Sequence, residues 1–143
     1  MASGDIAVQV SVTGTTTDGV AIPPLDKTKT FTSIADVYCR KGLITSTTVA
    51  NLILIGTAAG ATLATLNCLI VHNKDSTDTV ILGFIDTSAE AFYVQIGPGE
   101  TFAYMADKLE ANVTGGAFSA FADVDTITID AVANTPRVDV LAF

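Results

Sequence analysis

Between Leu66 and Ala106 the chain reads LNCLIVHNKDSTDTVILGFIDTSAEAFYVQIGPGETFAYMA, a series of short apolar runs cut apart by turn residues. Leu69, Ile70 and Val71 run into Asn73-Lys74-Asp75-Ser76. Val80, Ile81 and Leu82 follow, and Gly97-Pro98-Gly99 separates the next pair of runs. β-branched and aromatic residues suit a pleated surface, while Asn, Asp, Gly and Pro supply turn geometry. No helical period is present, so the segment is confined to β-strands joined by tight turns.

The same reading extends outward. Ile6, Val8, Val10 and Val12 alternate with Ala7, Gln9 and Ser11, the pattern of a half-buried strand across Asp5 to Thr13. A polar loop follows at residues 14–19, and Ile22-Pro23-Pro24-Leu25 is extended chain that neither a helix nor a central strand holds. Lys27 to Phe31 has the lysines of an exposed edge strand. Ala35 to Arg40 and Ile44 to Ile55 give two further strands, separated at Lys41-Gly42. Residues 56–65 are small and uncharged, suiting a loop or a short helix. Strands are then expected near Leu66–His72, Thr79–Ile85, Phe92–Ile96 and Thr101–Met105, with Pro98-Gly99 at the centre of a type II turn. Lys108 to Ala122 reads as a loop, and Asp123 to Val132 and Arg137 to Phe143 as the last strands. Eight to ten short strands at spacings near ten residues predict an all-β fold, a single antiparallel β-sandwich of jelly-roll type with little helix. One domain over residues 1–143 is expected, with residues 1–26 as a strand-plus-arm extension.

Composition narrows the function. Charged residues are only 15% of the 143, and Thr and Ser fill much of the polar share. Few charges then separate neighbouring copies, so some of this surface is expected to lie against other chains. A net charge of −8, with seven Lys and Arg scattered singly, opposes nucleic-acid binding, which rests on neutralising phosphates. The uncharged stretch between Lys41 and Lys74 is long enough for a spanning helix. Asn51, Asn67 and recurrent Thr, without aromatic or basic flanks, read instead as two buried strands and no membrane. The start of the chain shows no basic and apolar leader, so assembly in a cytoplasm is expected.

Candidate chemistry is sparse. His72 is the single imidazole, placed at a strand end where a structural hydrogen bond is the simpler role. Ser76 and Asp75 lie near it in sequence but do not make a triad. Asp75 and Asp78 flank a turn, and Asp123, Asp125 and Asp130 fall late in the chain. NKDSTD lacks the glycine and distal Glu of an EF-hand loop, so these are read as solvated acids and no metal is assigned. Glu90 and Glu100 are the other carboxylates weighed, as a glycosidase pair, without a Trp platform for sugar. Phe84, Phe92, Tyr93, Phe102 and Tyr104 sit at strand spacing and read as core and interface. Cys39 and Cys68 are either two buried small apolar residues, the simpler reading, or a pair. No cofactor and no catalytic residue are assigned, and the chain is not read as an enzyme.

The segments CLIVHNKDSTDTVILGF, FYVQIGPGETFAYM and DTITIDAVANTPRVDVLAF resemble those of small β-sandwich structural proteins of tailed bacteriophages. The likeness covers Leu66 to Phe143 and lies in the style of strand and turn. It implies a virion component, commonly a homotrimer: a capsid decoration (cement) protein with itself and the major capsid protein as partners. The alternative it implies is a tail or head–tail accessory, receptor-recognition module. Because the strand at Ile6, Val8, Val10 and Val12 precedes a long polar loop, these four residues are expected to form a strand that extends or swaps into a neighbouring copy, or to pack at a subunit seam.

Overall fold

The structure, a computed structural model, describes residues 4–15, 17–19, 21–56, 60–105 and 124–143. Its elements are strands: β1 Gly4–Thr15, β2 Ala21–Ile34, β3 Tyr38–Ile44, β4 Ala50–Leu54, β5 Cys68–Asn73, β6 Val80–Asp86, β7 Ala91–Ile96, β8 Thr101–Met105, β9 Val124–Ala131 and β10 Arg137–Ala142. No helix occurs among the described residues. The chain divides into two compact units, Met1–Ala35 and Asp36–Phe143.

The first unit is an antiparallel two-stranded ribbon of β1 and β2. Directly opposed side chains of an antiparallel pair share a face. Ile6, Val8, Val10 and Val12 therefore lie beside Phe31, Lys29, Lys27 and Leu25. The opposite face is polar, with Ala7 against Thr30, Gln9 against Thr28 and Ser11 against Asp26. There the Gln9 amide Nε2 donates to Asp26 Oδ1 at 2.7 Å.

The second unit is a β-sandwich of two four-stranded antiparallel sheets, in the orders β3-β10-β5-β8 and β4-β9-β6-β7. Its pairings nest: β6 pairs with β7, β5 with β8, β4 with β9 and β3 with β10. The first half of the unit thus runs antiparallel to the second, and successive strands cross between sheets except at the β6–β7 hairpin. One core joins the sheets. Leu69, Val71, Val138 and Val140 come from one sheet, and Ile53, Val80, Leu82, Phe84, Ile96, Ile127 and Ile129 from the other. Phe84 stacks on Phe92 at 4.6 Å between ring centroids and tilts against Phe102. Alternation with a period of two sends every second residue of each strand inward, which is why these short runs suffice.

Two sequence expectations change at strand ends. Lys41-Gly42 does not separate one strand from the next; it lies inside β3. The register between β3 and β10 shifts there, Gly42 takes φ 64° and its N–H donates to Asp139 Oδ1 at 2.7 Å. A glycine at positive φ lets the extra residue bulge out without ending the strand. The strand expected over Ile44–Ile55 is broken at Thr45, whose N–H and hydroxyl both donate to Pro136 O. Residues 45–49 then turn the chain into the second sheet. In the small-residue segment, Ile55 and Leu63 form an isolated bridge and residues 60–65 are not helical. The loop expected over Lys108 to Ala122 lies outside the described residues. The turn at Pro98-Gly99 is present, with Gly99 at φ 69° and Glu100 N donating to Gly97 O.

Candidate interaction surfaces

Of the four residues expected at a subunit seam, Ile6, Val8 and Val10 are half-buried, and Val12 is 44% exposed. Their ribbon partner Leu25 is 46% exposed, so the Val12–Leu25 end of the apolar face is the more open one. Lys29 reaches over the Phe31 ring at 4.9 Å. Both lysines of the ribbon stand on this face, and Asp26 on the other. A two-stranded ribbon is marginal in water on its own.

A second surface is the outer face of the sheet β4-β9-β6-β7. Gly83 on β6 is opposed by Tyr93 on β7 and Thr128 on β9. A Cβ placed on Gly83 would run into Thr128 Oγ1 and would lie 2.9 Å from Tyr93 Cε1. The tyrosine ring thus occupies the space glycine leaves, and Tyr93 remains 64% exposed. Of the aromatics read as core and interface, Tyr93 lies outside the core: it stands at an odd position of β7 between Phe92 and Val94, which pack against the core. Asn51, beside Thr128, and Gln95 and Asp130, on either side of Ile81, complete a mixed polar face. Burial pushes the Asp130 carboxyl above its ordinary pKa.

The end of the sandwich that carries the β3–β4, β5–β6, β7–β8 and β9–β10 turns is knitted by polar side chains. Asn73 is fully buried. Its Nδ2 donates to Asp78 O, Ile96 O and Gly97 O at 2.7, 3.2 and 3.0 Å, while its Oδ1 accepts from Asp75 N. Asp75 Oδ1 accepts from Thr77 N, Thr77 Oγ1 and Asp78 N. The Thr77 and Asp78 N–H groups hold its carboxyl below the usual range. Asn134 donates to both Asp78 oxygens. At this same end Ile44, Val49 and Val132 are 60%, 58% and 56% exposed, a β-branched patch rimmed by satisfied turns.

The remaining candidates do not converge. His72 lies on the outer face of the other sheet with Nδ1 2.9 Å from Thr101 Oγ1, a strand-end partner. Asp75 and Asp78 spend their oxygens on their own turn and on Asn134, and Asp125 and Asp130 lie along β9; Asp123 lies outside the described residues. No group of three or more His, Cys, Asp or Glu suited to a metal occurs among the described residues. The six residues of β7 separate Glu90 from the turn that holds Glu100 by about 20 Å at strand rise, far beyond a glycosidase pair. Glu100 instead accepts from Gly97 N.

The cysteines are both free thiols; Cys68 is buried, in keeping with the simpler reading, but Cys39 is exposed and corrects that reading. β10 stands between their strands, which sets them about 9–10 Å apart across the sheet, too far for a disulfide. Among the described residues no helix is long and apolar enough to cross a membrane.

Sequence reasoning missed the Tyr93 platform and the Ile44, Val49 and Val132 patch. A glycine in an apolar strand was the available signal for the first, but it acquires meaning only once register puts Tyr93 opposite. Comparison with known proteins finds no matching family model, no matching curated protein and no matching solved structure.

Proposed function

We propose that this chain is a structural virion protein, a capsid decoration protein that strengthens a phage head by non-covalent contacts with copies of itself and with the major capsid protein. The observation that carries this reading is the β1–β2 ribbon. It offers an amphipathic face with Val12 and Leu25 open, joined to a sandwich that has its own core. Such a face gains stability when another chain covers it. The nested order β3-β10-β5-β8 over β4-β9-β6-β7 is read as a jelly roll, an architecture that suits a shell-building brick. The resemblance of residues 66–143 to phage β-sandwich proteins supplies the virion, the homotrimer and the assembly in a host cytoplasm. In this role the chain catalyses nothing and holds no cofactor; shape, edges and apolar contact do the work.

Mixing the purified protein with undecorated phage heads tests it. Saturable, stoichiometric binding that raises the temperature of head disruption is the expected result, and absence of binding at micromolar concentration overturns it. The exposed Tyr93 ring favours one second reading, a tail or receptor-recognition module. An aromatic face held in place by Gly83 suits stacking against a host-surface sugar. Binding on a glycan array that Tyr93→Ala abolishes, together with indifference to heads, selects that reading instead.

A further inference from the structure

We infer that the sandwich pairs edge to edge with a second copy of this chain, β7 against β7, in a two-fold register centred on Tyr93. The inference rests on the assembly reading above and names one contact between copies.

Four strands end the two sheets of the sandwich, and they are not alike. β3 carries Arg40 and Lys41 and is bulged against β10, and β4 is bulged against β9. Charges and bulges are devices that keep an edge from recruiting another strand. β7 and β8, joined by the short turn at Pro98, hold no charged residue and no proline, and their ladders run without a shift. The side chains they turn inward, Phe92, Val94, Phe102 and Tyr104, are only partly buried, so the core is half-open along this side.

Hydrogen-bond phase fixes what the β7 edge offers. In an antiparallel pair alternate residues aim their N–H and C=O groups at the neighbouring strand, and those between aim away. Asp86 N donates to Glu90 O, which turns the even residues of β7 toward β6. Ala91, Tyr93 and Gln95 therefore present both backbone groups to the open side, where they meet no backbone partner among the described residues. Setting Tyr93 opposite the partner's Tyr93 sets each Ala91 opposite the partner's Gln95, and every outward N–H then meets a carbonyl. A shift of two residues either way brings in Ala89 or Gly97, whose N–H groups are committed to Asp86 O and Glu100 Oε2. Each Tyr93 ring leans over its own Gly83 and leaves the edge clear.

The second sheet meets the same axis. Asn73 N donates to Glu100 O, so Thr101, Ala103 and Met105 face outward from β8. Tyr93 stands five residues before Pro98 and Ala103 five after it, and Phe84 touches both Phe92 and Phe102. The two centres thus lie at about one level, and one rotation brings both edges of the same two copies face to face. The side so formed is about 20 Å long and about 20 Å deep, or ~400 Å² per copy. That is small for a specific interface, so the dimer is weak in free solution at micromolar concentration. It gains where copies are held side by side on one surface.

Disulfide trapping of the full chain tests the register, in a Cys39→Ser background because Cys39 is exposed. At about 0.1 mM, Tyr93→Cys is expected to cross-link at least about tenfold faster than Gln95→Cys, because opposed residues lie within disulfide reach whereas the two 95 positions sit about 14 Å apart. Ala91→Cys mixed with Gln95→Cys, which keeps Tyr93 in place, is expected to cross-link in the mixture and not in either chain alone. Equal rates at 93 and 95, or a mixture no faster than its components, overturns the inference. Wild-type binding to undecorated heads is read separately: a chain that saturates heads without these cross-links keeps the assembly reading and loses the edge contact, and one that ignores heads loses the assembly reading whatever the cross-links show.

Discussion

The ring of Tyr93 sits where the side chain of Gly83 would be, with Cε1 2.9 Å from the position of an added Cβ and Thr128 Oγ1 closer still. Glycine weakens a strand by its freedom and its missing contacts, and a neighbouring aromatic restores both. Tyr93 of β7 and Thr128 of β9 thus both pack over Gly83 of β6 in the observed register. Gly83→Ala is expected to destabilise the sandwich by about 1–3 kcal/mol, the usual cost of overpacking. Urea unfolding measures it. Adding Thr128→Ala removes the nearer obstacle and is expected to return some of the loss; a strictly additive double variant would contradict the packing described.

Asn73 is the most committed polar side chain at the turn-bearing end, facing three carbonyls and one N–H from full burial. Asn73→Ala leaves those groups without partners, and a cost of about 2–4 kcal/mol is expected. Asn73→Asp is expected to be worse, because a carboxylate would face carbonyl oxygens. Chemical denaturation of both variants decides the order.

Acid should loosen the same end. Asp75 has its folded pKa depressed below 3.8 chiefly by the Thr77 N–H, with Asp78 N–H next. Asp139 is lowered mainly by the Gly42 N–H, with help from Lys74. A depressed carboxyl contributes stability that is present above the unfolded value and is lost as pH falls through the folded one. Asp130, raised by burial, acts in the opposite sense. Thermal melts below about pH 4 are expected to fall less steeply in Asp75→Asn than in the wild type. Parallel acid limbs would show that Asp75 contributes nothing to the slope.

The two thiols should separate cleanly. Cys39 is exposed, whereas Cys68 is buried and its thiol is pushed up by that burial. An aromatic disulfide reagent is expected to titrate one thiol per native chain and two in urea. Two fast thiols in the native protein would contradict the buried position of Cys68.

Removal of residues 1–35 is expected to leave a folded β-sandwich that no longer assembles. All the core residues that join the two sheets come from residues 36–143, so the ribbon is not needed to fill that core. Circular dichroism and sedimentation of the 36–143 fragment report the two halves of the expectation. An unchanged oligomer would place the assembly contacts elsewhere.

Strand existence is legible in the sequence wherever alternation and turn chemistry agree. Thr101–Met105 matches β8 to the residue, and the spans expected for β5, β6, β7, β9 and β10 match within two residues at each end. The sequence misleads at Lys41-Gly42 because a glycine marks a bulge as readily as a turn, and only the Asp139 side chain far along the chain decides between them. It misleads at Cys39 for a related reason. Which face of an edge strand is covered depends on its neighbours in space, and those neighbours are set by pairings dozens of residues apart. The four valine and isoleucine positions of β1 are visible as a stripe, yet their lysine-bearing partners on β2 become evident only with the register.

Because β10 lies between β3 and β5, the sheet they share cannot be completed until residues 137–142 have left the ribosome. Until then β3 and β5 wait with bare hydrogen-bonding edges, and the innermost hairpin of β6 and β7 is the natural place for folding to begin and spread outward. Slow folding, set by pairings between strands dozens of residues apart, follows from that order of events.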